Sequence, residues 1–290
     1  MSSIRSRYVG VPFVLPSFAI LLVVMIIPIA MSMYFSMTRY SVLGSPTWTG
    51  AENYAKLLDD DLFVASLRNT VVYTLISVPL QTIIVLLLAD LLAKRFRNRF
   101  GAFARSALFI PVMSSMVVVA VVWRTILGTN DGAVNLFLQA IGLERVNFLG
   151  DPTLALWVVG LVTVWKNIGY FLVIYYAGIM EVPGELYEAS ALDGAGRTAQ
   201  LWHVTVPALR PVTLLVVILG TIWSFQVFDL VYVMTGGGPG GATTTIVMMI
   251  FQAGFQNFQM GYASAMAMIL FALILVIAIV QRRVLKSNEG

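Results

Sequence analysis

The chain has 290 residues, of which 59% are hydrophobic, 12% aromatic and 11% charged, with a formal charge of +4. An average soluble domain carries about 25% charge, and a soluble fold of this length cannot hide so much apolar surface from water. An ordinary soluble protein is therefore excluded, as is disorder, which needs low hydrophobicity and high charge. There is no cysteine and only one histidine, His203. Thiol chemistry, disulfides, a metal site built on His or Cys and a His-based triad have no residues to use.

A helix needs about 20 mostly apolar residues to cross the hydrocarbon core. Such stretches lie near 12–38, 69–93, 104–127, 153–180, 207–234 and 261–281. They are continuous rather than alternating at period two, which predicts helices and not a membrane barrel. The expected fold is thus an all-α integral membrane protein: a single domain, 1–290, of six transmembrane helices. Arg5 and Arg7 before the first run mimic a signal peptide. Pro12, Pro16 and Pro28 interrupt that run, and no small-residue cleavage pattern follows it. It is read as a retained span.

Lys and Arg in the loops set the orientation. With the N-terminus in the cytoplasm, the inside segments hold Arg5, Arg7, Lys94, Arg95, Arg97, Arg99, Arg105, Arg197, Arg210, Arg282, Arg283 and Lys286. The outside segments hold only Arg39, Lys56, Arg68, Arg124 and Arg145. Both termini are expected to be cytoplasmic. The basic cluster at 94–105 then anchors the chain to membrane lipid; no nucleic-acid partner is expected. Ala133–Gly142 and Thr245–Phe258 are apolar but too short to span, and are expected to be small helices on the outer face. Between them Gly236-Gly237-Gly238-Pro239-Gly240-Gly241 forms a turn. It lacks the Gly-Lys-Ser/Thr ending of a phosphate loop, which occurs nowhere in the chain.

The segment 181–211, between spans four and five, is the most informative. Pro183-Gly184 ends the incoming helix, and Glu185 to Leu192 favours a short helix. Gly194 and Gly196 permit a bend. Arg197 to His203 is expected to form a second short helix that stops before Pro207 and Pro211. The arrangement is a helix, a bend and a helix on the cytoplasmic side.

The run Glu188-Ala189-Ser190, then Gly194, then Val204-Thr205-Val206-Pro207 resembles the EAA loop of permease subunits of binding-protein-dependent ABC importers. That family usually has Ala at the third position and Ile-x-Leu-Pro at the end, so Ser190, Val204 and Val206 are small departures. Other segments resemble its maltose-type carbohydrate branch: Trp48–Tyr54, Leu67–Thr70, Arg105–Pro111 with Val121–Arg124, Val164–Lys166, Phe228–Pro239 and Gly261–Ala265. The resemblance covers nearly the whole chain. It implies that the loop is a coupling helix docked in a cleft of a separate ATPase subunit, through Glu188, Ala189, Ser190, Asp193, Gly194 and Pro207. It also implies a second permease forming a heterodimer, two ATPase subunits that hold ATP-Mg, an extracytoplasmic substrate-binding protein and a carbohydrate substrate. No cofactor is expected on this chain. The implied place is a bacterial or archaeal plasma (inner) membrane, crossed several times.

Lys166 and Asp229 fall inside expected spans. A charge at the bilayer centre costs roughly 2.5–3.5 kcal/mol on insertion scales, so such residues are functional candidates. Their depths differ by roughly 5–15 Å at 1.5 Å per residue, and separate partners are expected. Trp165, Asn167 and Tyr170 surround Lys166; Trp223, Gln226 and Phe228 precede Asp229. Aromatic faces beside amides and charges suit sugar rings and their hydroxyls, though aromatics also pack helices and mark the interface. These eight residues are the candidate substrate pathway. An ion-coupled secondary transporter is the competing class, but Asp229 is the only deep acid and no internal repeat is visible. A membrane enzyme would need paired acids, a nucleophile with its base or metal ligands, and the sequence offers none.

Overall fold

The computed structural model describes residues 11–42, 44–96 and 98–286. Arg5, Arg7 and Arg97, counted above among the inside charges, lie outside the described residues. Helices dominate, and the chain divides into two compact units. One comprises the residues up to Asp60 with Met249–Ala272; the other comprises Asp61–Met248 with the residues from Leu273 onward.

In the first unit, α1 (Val11–Leu21) continues through a π turn at Leu22–Ile26 into α2 (Ile27–Ser36). The hairpin β1 (Thr38–Arg39) and β2 (Thr47–Trp48) follows, then α3 (Glu52–Leu58). Asn53 is buried and donates to the carbonyls of Ser36 at 2.8 Å and Thr38 at 2.9 Å. It thereby satisfies the acceptors left free where α2 ends. The Thr38 carbonyl also lies so close to Gly261 that a Cβ there would strike it. The Gly261 amide donates to the Tyr40 carbonyl at 3.1 Å, and the Tyr262 hydroxyl donates to Asp60 at 2.5 Å.

The second unit is built on α4 (Asp61–Arg95), which begins with an acid and ends with Lys94 and Arg95, each matched to its end of the helix dipole. It is followed by α5 (Arg99–Met113), α6 (Met116–Ile126), α7 (Ala133–Ala140) and α8 (Ala155–Glu181). Then come α9 (Gly184–Leu192), α10 (Arg197–Gln200), α11 (Val206–Ala208), α12 (Arg210–Phe225) and α13 (Asp229–Met234). α14 (Ile246–Phe251) and α15 (Met260–Lys286) complete the chain. α4 packs along α8, where Tyr73 and Thr163 join hydroxyls at 2.5 Å in the core. α5 crosses α8 at Gly169, where a Cβ would collide with the Leu108 backbone.

Among the described residues, four helices are long and apolar enough to cross a membrane, or six if each of two bent pairs counts as one span. Two expected spans therefore need correction. The stretch 104–127 is not one helix: α5 and α6 meet at a 99° bend. Ser114 and Ser115 are both extended there, with ψ of 145° and 139°. Paired serines compete for the backbone's own hydrogen bonds and favour kinks. The stretch 207–234 is also broken. The helix Arg197–Ala208 meets α12 at a 71° bend, and α12 stops before Gln226, with α13 starting afresh at Asp229. The carbonyl of Val227 freed by this second break accepts from the buried Thr245 hydroxyl at 3.0 Å.

The glycine turn is tied down rather than loose. Gly236, Gly237, Gly240 and Gly241 all have positive φ, a region open to glycine at little cost. Asn69 of α4 donates to the Gly241 and Thr244 carbonyls at 2.9 and 3.0 Å.

Candidate coupling loop and substrate cavity

α9 ends in a hydrogen-bonded elbow. The Gly194 amide donates to the Ala191 carbonyl at 3.0 Å and the Ala195 amide to the Ser190 carbonyl at 2.9 Å. Gly194 itself has φ +82°. This paired closure with a left-handed residue is the Schellman motif. A Cβ on Gly194 would meet nothing within 4 Å. Glycine is needed here for its backbone angle and not for space.

The two arms of the loop are braced against each other. Gln200 donates to the Tyr187 carbonyl and to the Ser190 hydroxyl, both at 3.1 Å. Ser190 in turn donates to the Tyr187 carbonyl at 2.8 Å. Glu188, Ala189 and Asp193 stay exposed. The second helix does not stop before Pro207 as expected: it runs Arg197–Ala208. A π turn at Leu201–Thr205 makes this possible, because the Val206 amide reaches back to Leu201. Pro207 follows two residues after that π turn, inside the same helical run.

A polar node fixes this loop to the end of α4. Thr205 is fully buried. Its hydroxyl accepts from Lys94 at 2.9 Å, meets the Tyr187 hydroxyl at 3.1 Å and donates to Asp90 at 3.3 Å. The Gln200 carbonyl lies 3.4 Å from the same hydroxyl, as a second acceptor for its one proton. Lys94 also pairs with Asp90 at 2.5 Å and lies 4.6 Å from the centre of the Tyr187 ring.

A second feature is a partly open cavity of about 140 Å³. Asn167, Trp223, Gln226, Phe228 and Asp229 line it, together with Tyr73, Thr163 and Ser224. Tyr170 packs on Trp223 with ring centres 4.9 Å apart. Trp165 is set apart, edge-on to Trp123 at 5.4 Å. Asp229 is not buried in a continuous span; it is exposed as the first residue of α13. Lys166 is buried and donates to the Val112 carbonyl over a long 3.4 Å. That carbonyl belongs to the last turn of α5, which the break leaves unpaired, and the cation suits the negative end of the helix. Ligand pockets are usually about 300–1,000 Å³, so this cavity is smaller than a typical one.

A family model described as "Binding-protein-dependent transport system inner membrane component" matches residues 61–288. The chain belongs to this permease family. A probable ABC transporter permease of Bacillus subtilis, YurN, is 34% identical over 98% of both chains. The trehalose/maltose permease MalF of Thermococcus litoralis is 33% identical over 97% of this chain and 94% of its own. The arabinooligosaccharide permease AraP of Halalkalibacterium halodurans is 34% identical over 93% and 86%. In fold the permease matches a chain of a bacterial ABC transporter that imports alginate, with a TM-score of 0.86, 22% identity and coverage of 99% and 98%.

Sequence reasoning missed the residues that hold this permease's loop in place: Asp90, Lys94, Tyr187, Gln200 and Thr205. The i,i+4 spacing of Asp90 and Lys94 was a visible signal, but Lys94 reads from sequence as an orientation charge only. Nothing in the sequence ties it to Thr205.

Proposed function

We propose that this permease is the membrane subunit of an ATP-driven sugar importer in a bacterial or archaeal inner membrane. It forms half of the translocation pathway, beside a second permease, and both of its termini face the cytoplasm. The loop 181–211 docks on a separate ATPase subunit, which holds ATP-Mg, and an extracytoplasmic binding protein delivers the substrate. The chain itself hydrolyses no ATP.

The braced elbow carries this reading. A lever transmits rigid-body movement only if its angle is fixed, and here the angle is set by the Schellman closure and by Gln200 bridging the arms. The loop also presents apolar side chains to a partner: Leu192 is 89% and Trp202 58% exposed. Exposed apolar side chains at this density suit a docking surface. The exposed Glu188 adds a carboxylate for a basic group on that partner. The sugar assignment is supported by the relatives that carry trehalose, maltose or arabinooligosaccharides in their names. Movement of α12 and α13 relative to α8 would widen the partly open cavity for such a ligand, in alternation between outward and inward states.

The test is to purify the assembled complex and measure ATP hydrolysis with the binding protein and candidate sugars. Hydrolysis stimulated by one sugar class is expected. If an uncoupler abolishes vesicle uptake while ATP is held constant, the reading is wrong and an ion-coupled carrier takes its place.

A further inference from the structure

The ends of α4 and α8 and the braced loop line an open cavity of about 540 Å³. Three cations line it, Lys94, Arg95 and Arg197, against a single carboxylate, Asp90. Lys94 is already paired with that carboxylate at 2.5 Å. Among the described residues neither Arg95 nor Arg197 has an ion pair. Two guanidinium groups therefore line one space with no anion of the chain to balance them. Both arginines are exposed, so their guanidinium forks can meet an anion from outside, and that fork fits phosphate oxygens in particular.

The same cavity has an apolar side. Leu91 and Met180 line it and remain 44% and 47% exposed. They stand in the last turns of α4 and α8, where these apolar helices end. A ligand that places a phosphate beside hydrocarbon satisfies both sides at once.

We propose that this cavity holds the phosphate headgroup of an anionic phospholipid, gripped by Arg95 and Arg197, with an acyl chain along Leu91 and Met180. The proposal rests on the reading above that this end of the spans is cytoplasmic. Basic pockets at that level are suited to anionic headgroups. The bound lipid joins α4 to α10 through one phosphate and thereby ties the loop's second arm to the membrane surface. Lipid composition then tunes how firmly the loop is held.

The test uses the full chain in nanodiscs of phosphatidylcholine, with labelled phosphatidylglycerol as the probe. Tight retention of the probe is expected for the wild type and for the control Arg282→Gln/Arg283→Gln. Arg95→Gln/Arg197→Gln should bind it about tenfold more weakly, and Arg95→Lys/Arg197→Lys should recover only part of the affinity, because an ammonium lacks the fork. Met180→Glu adds a carboxylate to the wall and should weaken binding with both arginines present, which covers an unstable double variant. Equal binding by the wild type and Arg95→Gln/Arg197→Gln would overturn the proposal. Release of the probe by millimolar inorganic phosphate would overturn the lipid assignment in favour of a free phosphate. Orientation is checked separately on the cysteine-free chain: Asp193→Cys labelled from outside would overturn the cytoplasmic reading while leaving the binding result standing.

Discussion

Lys94 and Thr205 lie 111 residues apart in sequence, yet the ammonium of one donates to the hydroxyl of the other at 2.9 Å. The bond joins the last turn of α4 to the π turn inside the loop 181–211. Thr205→Val keeps the shape and removes the hydroxyl, leaving Lys94, Asp90 and Tyr187 one partner short. Lys94 and Asp90 still hold each other, so the cost is that of the lost hydrogen bonds, about 0.5–1.5 kcal/mol each. The expected outcome is an assembled complex whose basal ATP hydrolysis persists but whose stimulation by loaded binding protein falls severalfold. Stimulation equal to wild type would show that the node does not position the loop.

Gly194 and Gly196 separate backbone angle from space. A Cβ on either would meet no atom within 4 Å, but only Gly194 has positive φ. Gly194→Ala should cost about 1–2 kcal/mol from the left-handed angle alone. Gly194→Asn should recover part of this, since Asn tolerates that region. Gly196→Ala should behave as wild type. Substrate-stimulated ATP hydrolysis across the three variants checks the order.

Gly169 and Gly160 make a second contrasting pair on α8. A Cβ at Gly169 meets the backbone of α5, which cannot step aside, whereas at Gly160 it meets a methyl of Ile76 at 3.2 Å. Gly169→Ala should destabilise by about 1–3 kcal/mol through overpacking, and Gly160→Ala by less. Thermal midpoints of the purified proteins in one detergent give the comparison.

Glu52 offers a pH test outside the spans. Its carboxyl is held below the ordinary value of 4.5, first by the hydrogen bond from Lys56 and then by that from Arg39. A depressed carboxylate stabilises the fold above the unfolded value and loses that contribution as pH falls through the folded one. Wild type and Glu52→Gln should therefore differ slightly in thermal midpoint at neutral pH and converge once the pH drops below the folded value. The gap should also shrink in high salt, because the pair is exposed.

The unbroken spans were the legible part. The run expected at 153–180 is Ala155–Glu181, because a long apolar stretch with no proline inside it has one stable form in lipid. α4 starts at Asp61 rather than near 69, because its first turns carry Asp61 and Arg68 and fall outside a purely apolar window. The breaks after α5 and after α12 were illegible for a different reason. Hydropathy counts residues, but a break depends on who receives the freed backbone groups. The carbonyl of Val112 is met by Lys166, and that of Val227 by Thr245. Both partners lie on distant elements. At the loop, Gly194 was readable because the turn is local, while Lys94, Tyr187 and Thr205 meet only in three dimensions.

The break at Ser114–Ser115 also bears on how the chain is made. α5 has 15 residues and α6 has 11, giving lengths of roughly 22 and 16 Å at 1.5 Å per residue, against a hydrocarbon core of about 30 Å. Neither piece can cross alone. The residues that support the bend, Lys166 and Gly169, belong to a helix synthesised later. The bend therefore gains these two contacts only once α8 has been made, and α5 and α6 reach their folded angle late in the order of synthesis.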